Sequence, residues 1–143
     1  MSETFPRFRS IVLDTTDARR AGEFYRQLLG WDYLEGFEPP APGLPDPRGA
    51  DWVVVLPPDR AFRLAFQQVP SLPAATWPAD GVPQQLHLDL QVRTGDELAA
   101  VHQRALDLGA RVLDDRSTDP EERLYVYADP DGHPFCVFVS GEG

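Results

Sequence analysis

The strictest alternation of apolar and polar residues lies between residues 84 and 92, and it predicts a strand. Leucine occupies every second position from Leu86 to Leu90, whereas His87 and Asp89 fall on the opposite face. The leucine face can pack against a helix. The other face then directs an imidazole and a carboxylate, roughly 6–7 Å apart along the strand, into the space that it lines. This pattern favours a sheet that builds a pocket.

Helical periodicity follows a strand twice along the chain. After the first predicted strand, Phe8 to Asp14, apolar residues recur at i, i+3, i+4 and i+7 until Gly30, and a second such stripe runs to Gly109. Thr94 and Glu97 have the spacing of a capping box at the start of the second helix. The other predicted strands are Trp31 to Leu34, Asp51 to Leu56, Ala61 to Val69, Ala110 to Leu113, Leu124 to Ala128 and Phe135 to Ser140.

The element order β-α-β-β-β therefore occurs twice, which predicts an internal repeat within a single domain spanning residues 1–143. We expect module one at about 7–69, a proline-rich linker at about 70–83 and module two at about 84–140. The predicted class is α+β. Each βαβββ module contributes a four-stranded sheet to an open, half-barrel mixed sheet with the helices outside and a pocket on the concave face.

Polar residues 114–122 are predicted to form a loop. Trp77 in the linker either contacts a ligand or pins the linker to the core.

Charge and composition exclude several classes of partner. The formal net charge is −10, so the surface repels phosphate backbones and nucleic-acid binding is not expected, whereas a cationic or neutral ligand is compatible with it. The single cysteine, Cys136, cannot form an intrachain disulfide and suits a reducing compartment. No apolar leader or stretch approaching 18 apolar residues is present. We therefore expect a cytoplasmic protein that does not bind membranes.

Four stretches together resemble a known superfamily. They are I-V-L-D-T-T-D with F-Y-R-Q-L-L-G-W (11–31), W-P with P-Q-Q-L-H-L-D-L (77–90), A-L-D-L-G-A-R-V (105–112) and Y-A-D-P-D-G-H-P-F-C-V (127–137). The chain resembles the vicinal oxygen chelate superfamily, which includes glyoxalase I, extradiol dioxygenases, fosfomycin-resistance enzymes and bleomycin-binding proteins, and within it a glyoxalase-like subgroup. The resemblance covers nearly the whole chain and implies the two-module half-barrel fold.

The resemblance also implies where a metal would lie. Metal-binding members hold a divalent cation with side chains from the first and last strands of each module, usually His and Glu. Those positions fall at Ser10, at Gln67 or Gln68, at His87 and at Cys136. Only His87 is a strong ligand for a hard or borderline ion, although Cys136 as a thiolate would suit zinc. We therefore expect no tightly bound catalytic metal and no other cofactor. If a divalent metal is bound, His87, Gln68 and Cys136 are the expected ligands.

His87 is the best catalytic candidate, with Asp89 to orient its imidazole for general base chemistry. The alternative is a satisfied buried hydrogen bond between these two residues that specifies the fold. Cys136 is either a small buried hydrophobe or a reactive thiol. His102 is expected at the surface or in an interface.

The function predicted from the sequence is binding of a small organic molecule in the half-barrel cavity, for example sequestration of a toxic compound or an antibiotic. The alternative is a metal-dependent enzyme, namely a glyoxalase-like lyase, an isomerase or a dioxygenase acting on a substrate with vicinal oxygens. A homodimer is expected. The predicted ligand-binding residues are Ser10, Val12, Trp52, Gln67, Gln68, Trp77, His87, Asp89, Tyr127, Cys136 and Phe138.

Overall fold

The computed structural model describes residues 4–140, and the chain divides into two compact units, Met1–Ser71 and Leu72–Gly143. Each unit contains one α-helix and one open four-stranded sheet, which confirms the α+β class and the two βαβββ modules. The first unit comprises β1 (Ser10–Thr15), α1 (Ala18–Leu29), β2 (Asp32–Tyr33), a short 3-10 helix (Arg48–Ala50), β3 (Trp52–Leu56) and β4 (Arg63–Gln68). The second comprises β5 (Leu88–Val92), α2 (Gly95–Asp107), β6 (Arg111–Arg116), β7 (Leu124–Ala128) and β8 (Pro134–Val139).

The two sheets have the same topology. The strand order is β1-β4-β3-β2 in the first unit and β5-β8-β7-β6 in the second. In each sheet the first strand pairs in parallel with the last strand of its module, and the remaining pairs are antiparallel. The first strand of each module, which carries the candidate polar residues, is therefore an edge strand of its sheet.

Helix α1 covers one face of the first sheet. Asp17 caps the helix by accepting a hydrogen bond from the Arg20 amide at 3.0 Å, and Gly30 ends it in the left-handed conformation at φ 68°. Tyr25 stacks on Phe66 of β4 with ring centroids 5.5 Å apart, and both side chains are fully buried. The apolar stripe predicted from the sequence thus forms the core of this unit.

Helix α2 begins at the predicted cap. The Thr94 hydroxyl accepts from the Glu97 amide at 3.1 Å, whereas the Glu97 carboxylate accepts from the Arg93 amide at 2.6 Å rather than from that of Thr94. The helix ends at Asp107, Leu108 caps it with helical dihedral angles, and Gly109 then turns the chain at φ 106°, which agrees with the predicted helix end. Neither helix within residues 4–140 is long and apolar enough to cross a membrane.

Three segments differ from the sequence prediction. Strand β5 begins at Leu88, so residues 84–87 of the predicted strand precede it, and Leu86 is exposed instead of packing against a helix. Strand β6 continues to Arg116, through residues assigned to a polar loop, because its last three residues pair with residues 124–126 of β7. Asp114 and Arg116 also form an exposed ion pair at 3.1 Å.

The proline-rich stretch 72–83 lies within the second unit and packs against it: a Cβ added to Gly132 would lie 2.3 Å from the Ala74 Cβ. Most of the predicted linker is therefore packed structure.

Candidate functional site

The parallel pairing of β5 with β8 places Asp89 directly beside Cys136. His87 immediately precedes β5, and its Nε2 lies 3.1 Å from Asp89 Oδ1. The nitrogen, oxygen and sulfur donor atoms of the three residues all lie within 4.8 Å of one another. The spacing of His87 and Asp89 and the β5–β8 register together gather an imidazole, a carboxylate and a thiol on one face of the second sheet.

Two further side chains fix the imidazole of His87. Its ring stacks on the indole of Trp77 with centroids 5.2 Å apart and planes inclined by 10°, and its Nδ1 lies 3.0 Å from Gln84 Oε1. Both ring nitrogens therefore have polar partners while one ring face is covered. Since 33% of the His87 side chain remains exposed, the ring stays within reach of a ligand.

Trp77 is anchored to the sheet beneath it. The buried side chains of Leu124, Val126 and Cys136 form a small apolar cluster, and Trp77 and Phe138 pack against it. The sequence left open whether Trp77 contacts a ligand or pins the preceding segment. The structure shows the anchoring role, and the same ring supports His87. Ligand contact by Trp77 stays a prediction.

The thiol of Cys136 is held in its neutral form. Burial, as the largest cause, and the neighbouring negative charge of Asp89 together raise its pKa from 9.0 to about 11. The nucleophilic and metal-binding form of cysteine is the thiolate. At neutral pH Cys136 therefore acts as a small apolar residue of the cluster and not as a nucleophile.

The donor types at this face match those that zinc accepts, namely imidazole nitrogen, carboxylate oxygen and sulfur. If a divalent metal binds the second unit, His87, Asp89 and Cys136 would hold it, and it would act as a Lewis acid toward a substrate oxygen. Binding would require loss of the Cys136 proton and release of His87 from Asp89. The metal would therefore compete with the hydrogen bonds present at this face.

In the first unit, Ser10, Val12, Trp52 and Gln67 share the sheet face that is turned away from α1, as the β1–β4 and β3–β4 registers show. A cavity of about 110 Å³ opens on this face. Its walls are formed by Arg9, Ser10, Leu34, Phe37, Trp52, Val54, Arg63 and Ala65. Two of the predicted residues, Ser10 and Trp52, therefore line a cavity.

Two other predicted residues lie on the helix-covered faces. The Gln68 Oε1 accepts from the Ala18 amide at 2.7 Å and its Nε2 donates to the Thr16 carbonyl at 2.7 Å, so this amide supports the start of α1. The register that the sequence left open thus brings Gln67, not Gln68, to the Ser10 face. Tyr127 is fully buried, and its hydroxyl lies 2.8 Å from Nδ1 of His102 on α2. His102, expected at the surface or in an interface, is a half-buried partner of this tyrosine.

Several residues that lie on these faces were not predicted from the sequence. Strand parity offered a signal for Arg63, which lies two residues before Ala65 and four before Gln67 and so shares their face. Gln84 lies outside any strand, and Phe37 belongs to an irregular turn in which its amide donates to the Leu34 carbonyl at 2.9 Å. No periodic pattern locates such residues.

Comparison with known proteins shows which domain family the chain matches and which solved structures are similar to it. The family model of the glyoxalase-like domain matches residues 10–138. Among solved structures, a glyoxalase/bleomycin resistance protein/dioxygenase family enzyme from Burkholderia phytofirmans PsJN is 14% identical, with a TM-score of 0.64 over 91% of this chain and 95% of that one. The fosfomycin resistance protein FosX from Listeria monocytogenes is 16% identical, with a TM-score of 0.64 over 98% and 93%.

The antibiotic binding protein TnmS3 from Streptomyces sp. CB03234 is 22% identical, with a TM-score of 0.57 over 96% of this chain and 98% of that one. At these identities the structures show a shared fold. None of the curated proteins compared with the chain matches it. With the family model covering most of its length and the two βαβββ modules in place, the chain belongs to the glyoxalase-like domain family of the vicinal oxygen chelate superfamily.

Proposed function

We propose that this protein binds a small organic molecule at the face formed by Trp77, His87, Asp89, Cys136 and Phe138, without a tightly bound catalytic metal. The observation that carries the proposal is the fixed imidazole of His87, which stacks on Trp77 and has its Nε2 3.1 Å from Asp89 Oδ1. An aromatic shelf with one oriented polar group is the usual composition of a small-molecule site.

The chemistry of this face favours binding over catalysis. The only thiol is neutral, so covalent catalysis by cysteine has no activated nucleophile. The Asp89 carboxylate faces both the imidazole and the thiol, and is thereby engaged with the site's own groups. Both ring nitrogens of His87 already have polar partners, so a ligand that replaces the solvent over the exposed ring face gains stacking without displacing these contacts.

The antibiotic-binding relative gives the proposal a concrete form. TnmS3 shares the fold and is described as an antibiotic binding protein. We propose sequestration of an antibiotic or another toxic aromatic compound for this chain as well. Ligand contact by Ser10, Val12, Trp52 and Gln67 in the first unit stays a prediction, as do a homodimer and a cytoplasmic location.

A thermal-shift screen with antibiotics and aromatic metabolites tests the proposal. A true ligand at 100 times its dissociation constant should stabilise the protein by about 2.7 kcal/mol. His87→Ala should remove this stabilisation, whereas Leu86→Ala, which changes the exposed side chain that precedes it in the chain, should retain it. An undiminished shift in His87→Ala would take His87 out of the site.

The second candidate function is a metal-dependent lyase, isomerase or dioxygenase. It is favoured by the clustering of His87, Asp89 and Cys136 donor atoms within 4.8 Å. Trace-metal analysis of protein purified without chelator distinguishes the two candidates. Near-stoichiometric zinc, iron, nickel or manganese that is lost in Asp89→Asn would establish the metal site and refute the metal-free proposal.

A further inference from the structure

We propose that the cavity of about 110 Å³ in the first unit is a binding site for an aromatic carboxylate, with the guanidinium groups of Arg9 and Arg63 as the anion-binding groups. This inference concerns the first unit alone. It goes beyond the function proposed above and does not depend on it.

The charge of the cavity wall is opposite to that of the protein. The chain carries 23 acidic residues against 13 basic ones, yet the two charged residues that line this cavity are both arginines. The cavity wall thus has two cations and no carboxylate on a chain with a net charge of −10. The local field at this site therefore favours an anion, although the net charge favours cationic or neutral ligands.

The two arginines also lack an internal counterion. Elsewhere in the same unit, Arg19 pairs with Asp46 at 2.8 Å and Arg26 pairs with Glu23. Within residues 4–140, by contrast, no ion pair or side-chain hydrogen bond joins Arg9 or Arg63 to a carboxylate. Planar guanidinium groups bind carboxylates through paired hydrogen bonds, so the unpaired arginines offer a ready site for one.

The pairing of β1 with β4 places the hydroxyl group of Ser10 beside Arg63 in the cavity wall. Arg63 lies opposite Ser10 in the parallel β1–β4 ladder, and both line the cavity. A guanidinium and a hydroxyl donor therefore share one wall. Both groups suit the oxygens of a carboxylate.

Aromatic and apolar side chains form the remaining walls. Phe37 and Trp52 line the cavity above a floor that includes the buried Val54. Phe37 is held in place, because Arg48 lies over its ring at 4.3 Å and Arg19 Nη1 donates to its carbonyl at 2.6 Å. Fixed aromatic walls suit a planar ring attached to the anionic group.

The size of the cavity limits what can enter it. Sites for drug-sized molecules usually measure about 300 Å³ or more, and a buried cavity of about 150 Å³ accommodates benzene. At about 110 Å³ this cavity holds the carboxylate and part of one ring, with the rest of the ligand at its mouth. It is therefore a subsite for the anionic end of a ligand.

Titration with benzoate, followed by the backbone amide signals of Ser10, Val54 and Ala65 in the NMR spectrum, tests the proposal. We expect saturable shifts with benzoate. Benzamide, which has the same shape without the charge, should bind about tenfold more weakly, since a charge-assisted hydrogen bond contributes about that factor. Equal affinity for benzoate and benzamide, or no shift with benzoate, would overturn the proposal.

Variants identify the groups responsible. Arg63→Gln should weaken benzoate binding about tenfold and leave benzamide binding unchanged. Arg7→Gln makes the same change in net charge at an exposed position outside the cavity and should leave both unchanged. A uniform loss in both variants would mean that the net charge, and not the cavity, attracts benzoate. If inorganic phosphate shifts the same signals and benzoate does not, the assignment to a carboxylate is wrong. These signals report on the first unit, so the result is independent of ligand binding at His87.

Discussion

Asp89 and Cys136 lie directly beside each other in the β5–β8 ladder, and the carboxylate of Asp89 acts on two neighbours at once. It lies 3.1 Å from His87 Nε2, and its charge helps to keep the Cys136 thiol protonated. The chemical state of the thiol is therefore linked to the group that orients the imidazole.

Replacement of Asp89 by Asn should lower the pKa of Cys136 from about 11 but leave it above 9.0, because burial is the largest cause of the shift and remains. The 13Cβ NMR signal of the cysteine as a function of pH measures this pKa, since the chain has one cysteine and the signal is not affected by ionisation of the four tyrosines. Asp51→Asn, an exposed substitution in the first unit, is the control and should change nothing. An unchanged pKa in Asp89→Asn would mean that the carboxylate does not act on the thiol.

The same shift gives the folding stability a dependence on alkaline pH. The thiol ionises near 9.0 when unfolded and near 11 when folded, so above pH 9 the unfolded state binds fewer protons than the folded state. The free energy of unfolding therefore falls as the pH rises from 9 to 11. Cys136→Ala should lack this part of the decline in urea unfolding experiments. If the free energy of unfolding fell equally with pH in the wild type and in Cys136→Ala, the thiol would not be buried in its neutral form.

Gln67 and Gln68 are neighbours with opposite roles, which makes them a matched pair. Gln68→Ala should lower the free energy of unfolding by about 1–3 kcal/mol, because it leaves the Ala18 amide and the Thr16 carbonyl without their side-chain partner at the start of α1. Gln67→Ala removes an exposed side chain and should change the free energy by less than about 0.5 kcal/mol. Urea unfolding of both variants measures the difference. If both variants lowered the free energy of unfolding by the same amount, the β1–β4 register would be wrong.

Glu23 should contribute stability that disappears in acid. Its carboxylate accepts hydrogen bonds from Arg26, Tyr33 and Gln27, and chiefly the Arg26 bond lowers its pKa from 4.5 to about 2. A carboxyl with a lowered pKa stabilises the fold above its unfolded value, and this contribution is lost as the pH falls from 4.5 through 2. The stability advantage of the wild type over Glu23→Gln should shrink over that interval.

The size of this effect is limited by solvent. The Glu23 and Arg26 side chains are each 34% exposed, so the advantage at neutral pH should be at most about 1 kcal/mol. Urea midpoints between pH 2 and pH 7 measure it. Glu35→Gln, at an exposed position of the same unit, serves as control and should follow the wild type at every pH. If the wild type and Glu23→Gln lost stability in parallel, Glu23 would not be the group responsible.

The sequence predicted most of the fold because its signals were local. The cap at Thr94 is formed as expected, and the period of two in the strand around Asp89 correctly separates the site face from the helix face. Strand β6 was predicted too short, because its three final residues are charged and their pairing with β7 has no local signal in the sequence.

The candidate site was predicted less completely, for physical reasons. The clustering of His87 and Asp89 follows from their spacing, but the approach of Cys136 depends on the β5–β8 register, which no local pattern determines. The stacking of Trp77 on His87 depends on how the proline-rich segment folds back. The parity of β4 would have excluded Gln68 once β1 and β4 were aligned, but a single sequence does not supply that alignment.

The central claim is that the Trp77–His87 face binds a small organic molecule without a metal. It is tested most directly by following the Trp77 indole and His87 ring signals in the NMR spectrum during a screen of antibiotics and aromatic metabolites with excess chelator present. We predict that at least one compound shifts both signals saturably in the chelated protein, and that added zinc does not strengthen its binding. Binding that occurs only after a divalent metal is restored would contradict the account.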